Sequence, residues 1–313
     1  MRFVSLLCAV ALPALAAEPV VGAGDAAADQ TSVQPERSRE PDQPDHSSVQ
    51  PDATKKTETT VVGERAWDEQ STVGPYQQPK WTDRRRFPGV RLYVAPPGAA
   101  TFEFWLEVKT PFGGDSRVRT LYELAFGLGH HLQLDLYVRT QSEGTQPMFI
   151  ESERVELRWA LADWGVLPGN PTLYLEWIRQ TDGPNKAELK ALFGGELSPR
   201  LFWGLNLFFE RELWGFEQGH EYGFTAGLTY SLRDSKLSLG GEARVELVDT
   251  RTTRFTPLGI ELLVGPSVSW RPVPAAHVLL VWYVGPELSR DDGTAPFRAA
   301  FVMQPTLVGG WRF

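Results

Sequence analysis

From Thr101 onward, apolar and polar positions alternate with a period of two, the signature of strands with one apolar and one polar face. Phe102, Phe104, Leu106 and Val108 alternate with Glu103, Trp105, Glu107 and Lys109. Leu132, Leu134, Leu136 and Val138 alternate in the same way with Gln133, Asp135, Tyr137 and Arg139. Twelve such runs follow one another down to Phe313, each of about ten residues, the length a tilted membrane strand needs. Their connections alternate too. Stretches 110–118, 141–149, 181–186, 212–221, 249–257 and 287–296 are long. Gly129 to His131, Leu197 to Arg200, Arg233 to Lys236 and Arg271 to Ala276 are short, and only Asp163 to Pro171 breaks the pattern. The expected fold is all-β: a twelve-stranded antiparallel transmembrane β-barrel over 99–313, with both chain ends on the short-turn side.

The N-terminal third has no such period. Residues 1–17 carry Arg2, an apolar stretch and Ala14-Leu15-Ala16-Ala17, the pattern of a secretory signal peptide. Residues 25–60 are rich in Asp, Gln, Pro, Ser and Thr, and Ser32-Val33-Gln34-Pro35 recurs as Ser48-Val49-Gln50-Pro51. Such a stretch buries too little apolar area to offset its ordering entropy. Residues 18–98 are therefore expected to form a disordered periplasmic linker. It ends in a basic run, Lys80, Arg84, Arg85, Arg86 and Arg91.

Charge and composition narrow the function. A net charge of −8 disfavours nucleic acid as a partner. The single cysteine, Cys8, excludes a disulfide framework and a cysteine zinc site. The polar strand faces hold the informative side chains. Acids are Glu103, Glu107, Glu123, Asp135, Glu156, Glu176, Glu188, Glu196, Glu210, Glu242, Glu246 and Glu261. Bases are Lys109, Arg119, Arg139, Arg154, Arg158, Lys190, Arg244 and Arg312. Charges facing lipid cost a few kcal/mol each at mid-depth, so these face a wet or paired lumen. Two readings follow: a net acidic pore passing small polar or cationic solutes, or a salt-bridged lumen that only holds a structural or surface-interaction barrel closed. Gly223, Thr225, Gly227, Thr229 and Ser231 form a wall of small residues with room for a solute. Phe202, Phe208, Leu263, Leu279, Val281 and Tyr283 add an inward apolar patch suited to a hydrophobic one. The basic run, Arg84, Arg85, Arg86 and Arg91, complements the acidic lumen and is expected at or inside its periplasmic mouth as a plug.

Enzyme chemistry is thin. His130 and His131 share a tight turn, as a metal pair or as polar turn residues. His220 lies beside Glu217 and Glu221, the place for a protease-like or metal site and so for the third reading, an outer-membrane hydrolase. No nucleotide-binding or His-Glu-x-x-His motif is present, and no cofactor or metal is expected.

The ending Trp311-Arg312-Phe313 resembles the C-terminal signature of bacterial outer-membrane β-barrels. That resemblance implies recognition of Trp311 and Phe313 by the barrel assembly machinery, a surround of outer-membrane lipids and a Gram-negative-type envelope. Pro305 and Gly309 depart from the signature, and a bulge or fraying is expected at Pro305. The barrel region resembles the broad group of twelve-stranded outer-membrane proteins that includes transporters associated with aromatic-compound degradation. Thr59, Thr60, Val61 and Val62 resemble the Ton box of TonB-dependent receptors, which implies a TonB-type partner pairing by β-augmentation. Trp177, Trp203, Tyr222, Tyr230, Trp270, Trp282 and Trp311 are expected to face outward as interfacial girdles.

Overall fold

The computed structural model describes residues 67–313. The expected signal segment and the Ton-box-like residues lie outside them. Twelve strands, β3 (Ala100–Pro111) to β14 (Arg298–Arg312), form a closed antiparallel barrel in which each strand pairs with its sequence neighbours and β14 returns to β3. The members between are β4 (Arg117–Gly129), β5 (Leu132–Glu143), β6 (Phe149–Ala160), β7 (Thr172–Gln180), β8 (Lys186–Ser198), β9 (Leu201–Glu212), β10 (Gly219–Arg233), β11 (Leu237–Thr250), β12 (Gly259–Trp270) and β13 (Ala276–Ser289). Closure leaves no unpaired sheet edge, and the outer face shows the apolar side chains that the alternation assigns to it. Leu175, Leu189, Leu228, Leu262 and Leu280 are exposed there, while Glu123, Asp135, Glu156 and Glu176 on the opposite faces are buried. This is the architecture of the outer-membrane β-barrels.

The strands run further than the alternation suggests, so the long loops shorten. Only 112–116, 144–148, 181–185, 213–218, 251–258 and 290–297 lie outside strands on that side. At the other end the turns are tight except for 161–171. Of the expected girdle, Trp177, Tyr230, Trp270, Trp282 and Trp311 are exposed. Trp203 is half-buried beside Gly169 and Gly195, and Tyr222 is half-buried with its hydroxyl donating to Asp249. No bulge forms at Pro305. The β13–β14 register runs through Trp282↔Pro305 without a shift. On the β3 side the pairing lapses between Met303↔Thr110 and Thr306↔Glu107 and resumes in the same register, because proline has no N–H to donate.

The linker boundary moves. Residues 67–98, expected as the end of a disordered tether, are folded inside the barrel. They comprise a 3-10 turn at Asp68–Gln70, a ribbon of β1 (Thr72–Val73) with β2 (Gln78–Pro79), a second 3-10 turn at Lys80–Thr82 and an extended stretch to Ala99. Tyr76, Trp81, Phe87, Val90, Leu92, Tyr93 and Val94 form a buried cluster with Ala160 and Phe202 of the wall, and Trp164 packs against it. The cause is packing rather than periodicity. A few large apolar groups, spaced irregularly, fill a space that the wall leaves for them.

Candidate functional site

The lumen has two halves. At the short-turn end it is filled by the segment 67–98. Glu69 and Asp68 start it at the β10–β11 turn: the Asp68 and Glu69 amides donate to Asp234 at 2.8 and 3.1 Å, and the Ser235 amide donates to Glu69 at 3.0 Å. Lys80 donates to Asp68 at 2.8 Å. Its ammonium and the Ser235 hydroxyl hold the Asp68 carboxyl below the ordinary carboxylate range. Deeper in, Trp81 Nε1 donates to Glu196 at 2.5 Å, and the Gly89 amide donates to Glu242 at 2.7 Å. The Ala95 amide donates to Gln133 at 2.6 Å.

The lower part of the wall of small residues, at Gly227 and Ser231, seats this segment, while Thr225 lines the open cavity above it. A Cβ on Gly227 would stand 2.5 Å from the Phe87 ring, and one on Gly204 2.6 Å from Leu92 and 2.7 Å from Val90. In the inward apolar patch, Phe202 lies 4.9 Å from the Trp81 ring and under the Arg86 guanidinium at 3.8 Å, so the guest there is the chain itself. Leu263, Val281 and Tyr283 pack with Val302 in a second buried cluster. The exceptional connection 161–171 also serves the segment. Tyr93 donates to the Ala162 carbonyl at 2.5 Å, and the Trp164 amide donates to the Tyr76 carbonyl at 2.9 Å.

The four arginines of the basic run go to three different places. Arg85 donates to Glu103 at 2.9 Å and to Glu123 at 3.5 Å. Arg91 donates to the same two carboxylates at 3.2 and 3.3 Å. Arg86 pairs with Glu69 of the segment itself and donates to Ser231 and Ser238 at 3.2 and 3.0 Å. Arg84 lies beside its neighbour Asp83, and Asp83 also pairs with Arg312 of β14.

Above the segment, toward the loops, a cavity of about 480 Å³ opens. Arg85, Pro88, Gly89 and Arg91 lie at its base, and it reaches Arg117, Gln180, Lys186, Glu221 and Glu287 at the loop ends of the strands. Of the expected lumen residues, Glu107, Glu123, Arg154, Glu156, Arg158, Glu176, Glu188, Lys190, Arg244 and Glu246 line it. Glu103 and Glu242 lie beneath, against the segment. Asp135 pairs with Arg158, and Glu261 with Lys109 and Arg244. The charge balance differs from the acidic one expected. Ten carboxylates and eleven cationic side chains line the cavity, and two of the latter, Arg85 and Arg91, belong to the segment.

One arrangement escapes strand-by-strand reading because it depends on register. Asp135↔Glu156, Glu156↔Glu176, Glu176↔Glu188, Glu188↔Glu210 and Glu210↔Glu221 are all directly paired positions, so carboxylates sit side by side across β5 to β10. Like charges directly opposite repel, and interleaved cations offset this. Arg154 reaches Glu176 at 3.2 Å, Lys190 reaches Glu188 at 2.9 Å, and Lys186 bridges Glu210 and Glu221 at 2.6 and 3.1 Å. Knowing the alternation alone does not reveal the belt; aligning the inward acids strand against strand would.

Two of the candidate histidines pair with carboxylates. His131 stacks on Tyr76 at 4.1 Å between ring centroids and pairs with Asp163 at 2.7 Å. His220 pairs through Nδ1 with Asp249 of β11 at 2.8 Å, rather than with Glu217 or Glu221. Among the described residues no serine or threonine hydroxyl hydrogen-bonds to His220, and no cluster with metal-ligand geometry is found.

No protein-family model and no curated protein matches the sequence. Solved structures similar to it include an outer membrane channel from Pseudomonas putida F1, 11% identical over 71% of this chain and 97% of that one, with a TM-score of 0.44. The NanC porin is 8% identical over 66% of this chain and 98% of its own, with a TM-score of 0.45. The outer membrane channel DcaP of Acinetobacter baumannii is 8% identical over 71% and 99%, with a TM-score of 0.35. At these values the likeness concerns the barrel fold only.

Proposed function

We propose that the chain is an outer-membrane channel for small polar or cationic solutes, held shut from the periplasmic side by its own segment 67–98. The observation that carries this reading is the cavity of about 480 Å³, lined for the larger part by charged side chains and floored by Arg85, Pro88, Gly89 and Arg91. A barrel serving only as a shell has no need of so many desolvated charges around an open space. Its selectivity follows from the floor. Withdrawing the segment removes four arginines and bares Glu103, Glu123, Glu196 and Glu242, so the opened lumen is acidic and draws cations.

Outer-membrane lipid covers the apolar outer face, and Trp311 and Phe313, both exposed, serve the assembly machinery. A TonB-type partner at Thr59, Thr60, Val61 and Val62 would stand just upstream of the segment it must withdraw. The filled short-turn half favours a second reading, a permanently closed structural barrel.

Planar-bilayer conductance separates the two. The parent is expected to conduct weakly, and a variant lacking residues 18–90 strongly, with cation selectivity. A variant with Arg84, Arg85 and Arg86 replaced by Ser should fall between them. Equal conductance of all three removes the gate, and silence of all three establishes the closed barrel.

A further inference from the structure

Glu103 and Glu123 are directly paired positions on β3 and β4, and both are buried. Two adjacent buried carboxylates repel each other and lose their hydration, so the pair persists only with cations seated on it. Here the cations are Arg85 and Arg91, each within 3.5 Å of both carboxylates. The Arg85 guanidinium lies 4.3 Å from the centre of the Trp105 ring, within cation–π range. Trp105 Nε1 is buried and has no hydrogen-bond partner among the described residues. His277 stands behind, 3.3 Å from Glu103. The wall thus contributes two carboxylates, an aromatic face and an unused donor, and the chain's own segment contributes the guanidinium groups that fill them.

We propose that Glu103, Glu123 and Trp105 form a binding site for a guanidinium-bearing solute, and that Arg85 and Arg91 are its built-in competitors. The inference rests on the reading of the chain as a plugged channel and names the solute class of that lumen. The site lies where a solute would arrive, since Glu123, Trp105, Arg85 and Arg91 all face the cavity above. A planar fork can bridge the two carboxylates and stack on the ring, as the Arg85 group does; a compact ammonium makes the charge contact without that geometry. Solute that displaces Arg85 and Arg91 removes the contacts seating this part of the segment, so binding and opening are coupled.

The test uses the full chain in detergent micelles with agmatine, a small molecule bearing a guanidinium and an amine. By calorimetry, a variant with Arg85→Ser and Arg91→Ser should bind agmatine about tenfold or more tightly than the parent, whose site is mostly occupied. Adding Glu123→Gln to that variant should abolish the gain. In the otherwise unchanged protein, Val90→Cys places a thiol at a buried position of the segment, and its maleimide labelling should accelerate with agmatine but not with aspartate or sucrose. Binding no tighter in the arginine-less variant, binding indifferent to Glu123→Gln, or labelling indifferent to agmatine would each overturn the proposal. Where the double variant fails to fold, the labelling decides. Tight binding with an electrically silent bilayer upholds the site and defeats the channel reading instead.

Discussion

The two halves of the lumen share one wall and one alternation, yet they solve opposite problems. On the short-turn side the inward positions shrink to Gly204, Gly227, Thr229, Ser231 and Ser238, and the space they leave holds Trp81, Phe87, Val90 and Leu92 at close packing. On the loop side the inward positions lengthen to Arg, Lys and Glu, which meet one another and leave the middle open. Side-chain length along a strand therefore decides where a barrel is plugged and where it is wet. The energetics differ accordingly. The plugged half gains from apolar burial and buried polar contacts, and the open half from ion pairs that range from fully buried, as at Arg158, to part-exposed, as at Arg244.

If that contrast is right, the same kind of truncation should have unequal effects. Trp81→Ala should cost the segment about 3–5 kcal/mol of seating free energy, because it empties a fully buried aromatic site. Protease or thiol access to residues 80–95 measures it, and a cost under 1 kcal/mol would mean the cluster is not what holds the plug. Glu69→Gln should come next, at about 3 kcal/mol, since it leaves Arg86 buried without its carboxylate. Gly204→Ala should cost about 1–3 kcal/mol by pressing a methyl on Leu92 and Val90. In the wet half, Arg244→Gln removes a part-exposed pair with Glu246 and should change seating by about 1 kcal/mol or less while shifting ion selectivity toward cations. An effect on seating equal to that of Trp81→Ala would erase the distinction between the halves.

The smallest effect is expected from pH at the mouth. The folded pKa of Asp68 lies below its ordinary 3.8, so its contribution is fully present above that value and fades as pH falls through the lower folded pKa. The side chain is half exposed, which keeps the effect small. Segment accessibility measured from pH 6 down to 3 should rise at the acid end in the parent, and Asp68→Asn should remove that rise.

The strands were legible because lipid outside and charge inside impose a strict two-residue period, and Glu103, Glu156 or Leu175 can each be placed on a face from the sequence alone. The plug was not, because Tyr76, Trp81, Phe87 and Tyr93 follow no period. Their burial depends on a cavity shaped by residues more than a hundred positions away, such as Gly204. A compositional hint exists: residues 25–60 contain no aromatic side chain, whereas 67–98 contain several. A second hint is the wall itself, since a run of small inward residues in a barrel this wide implies a large guest. The destinations of the arginines were beyond either hint. Arg86 finds its carboxylate within the segment, which charge counting across the lumen cannot show.

The joint between the first and last strands gives the segment a further consequence. Pairing between β14 and β3 lapses at Gln304 and Pro305, beside the junction of the first and last strands. The inserted chain spans that joint, with Arg85 and Arg91 on Glu103 of β3 and Asp83 on Arg312 of β14. It acts as a latch across the junction of the first and last strands. Shutting the hoop and seating the insert thereby become one cooperative event, each raising the local concentration of partners for the other. Loss of the latch should be felt first as faster hydrogen exchange at the amides of β3 and β14, long before any strand elsewhere in the ring loosens.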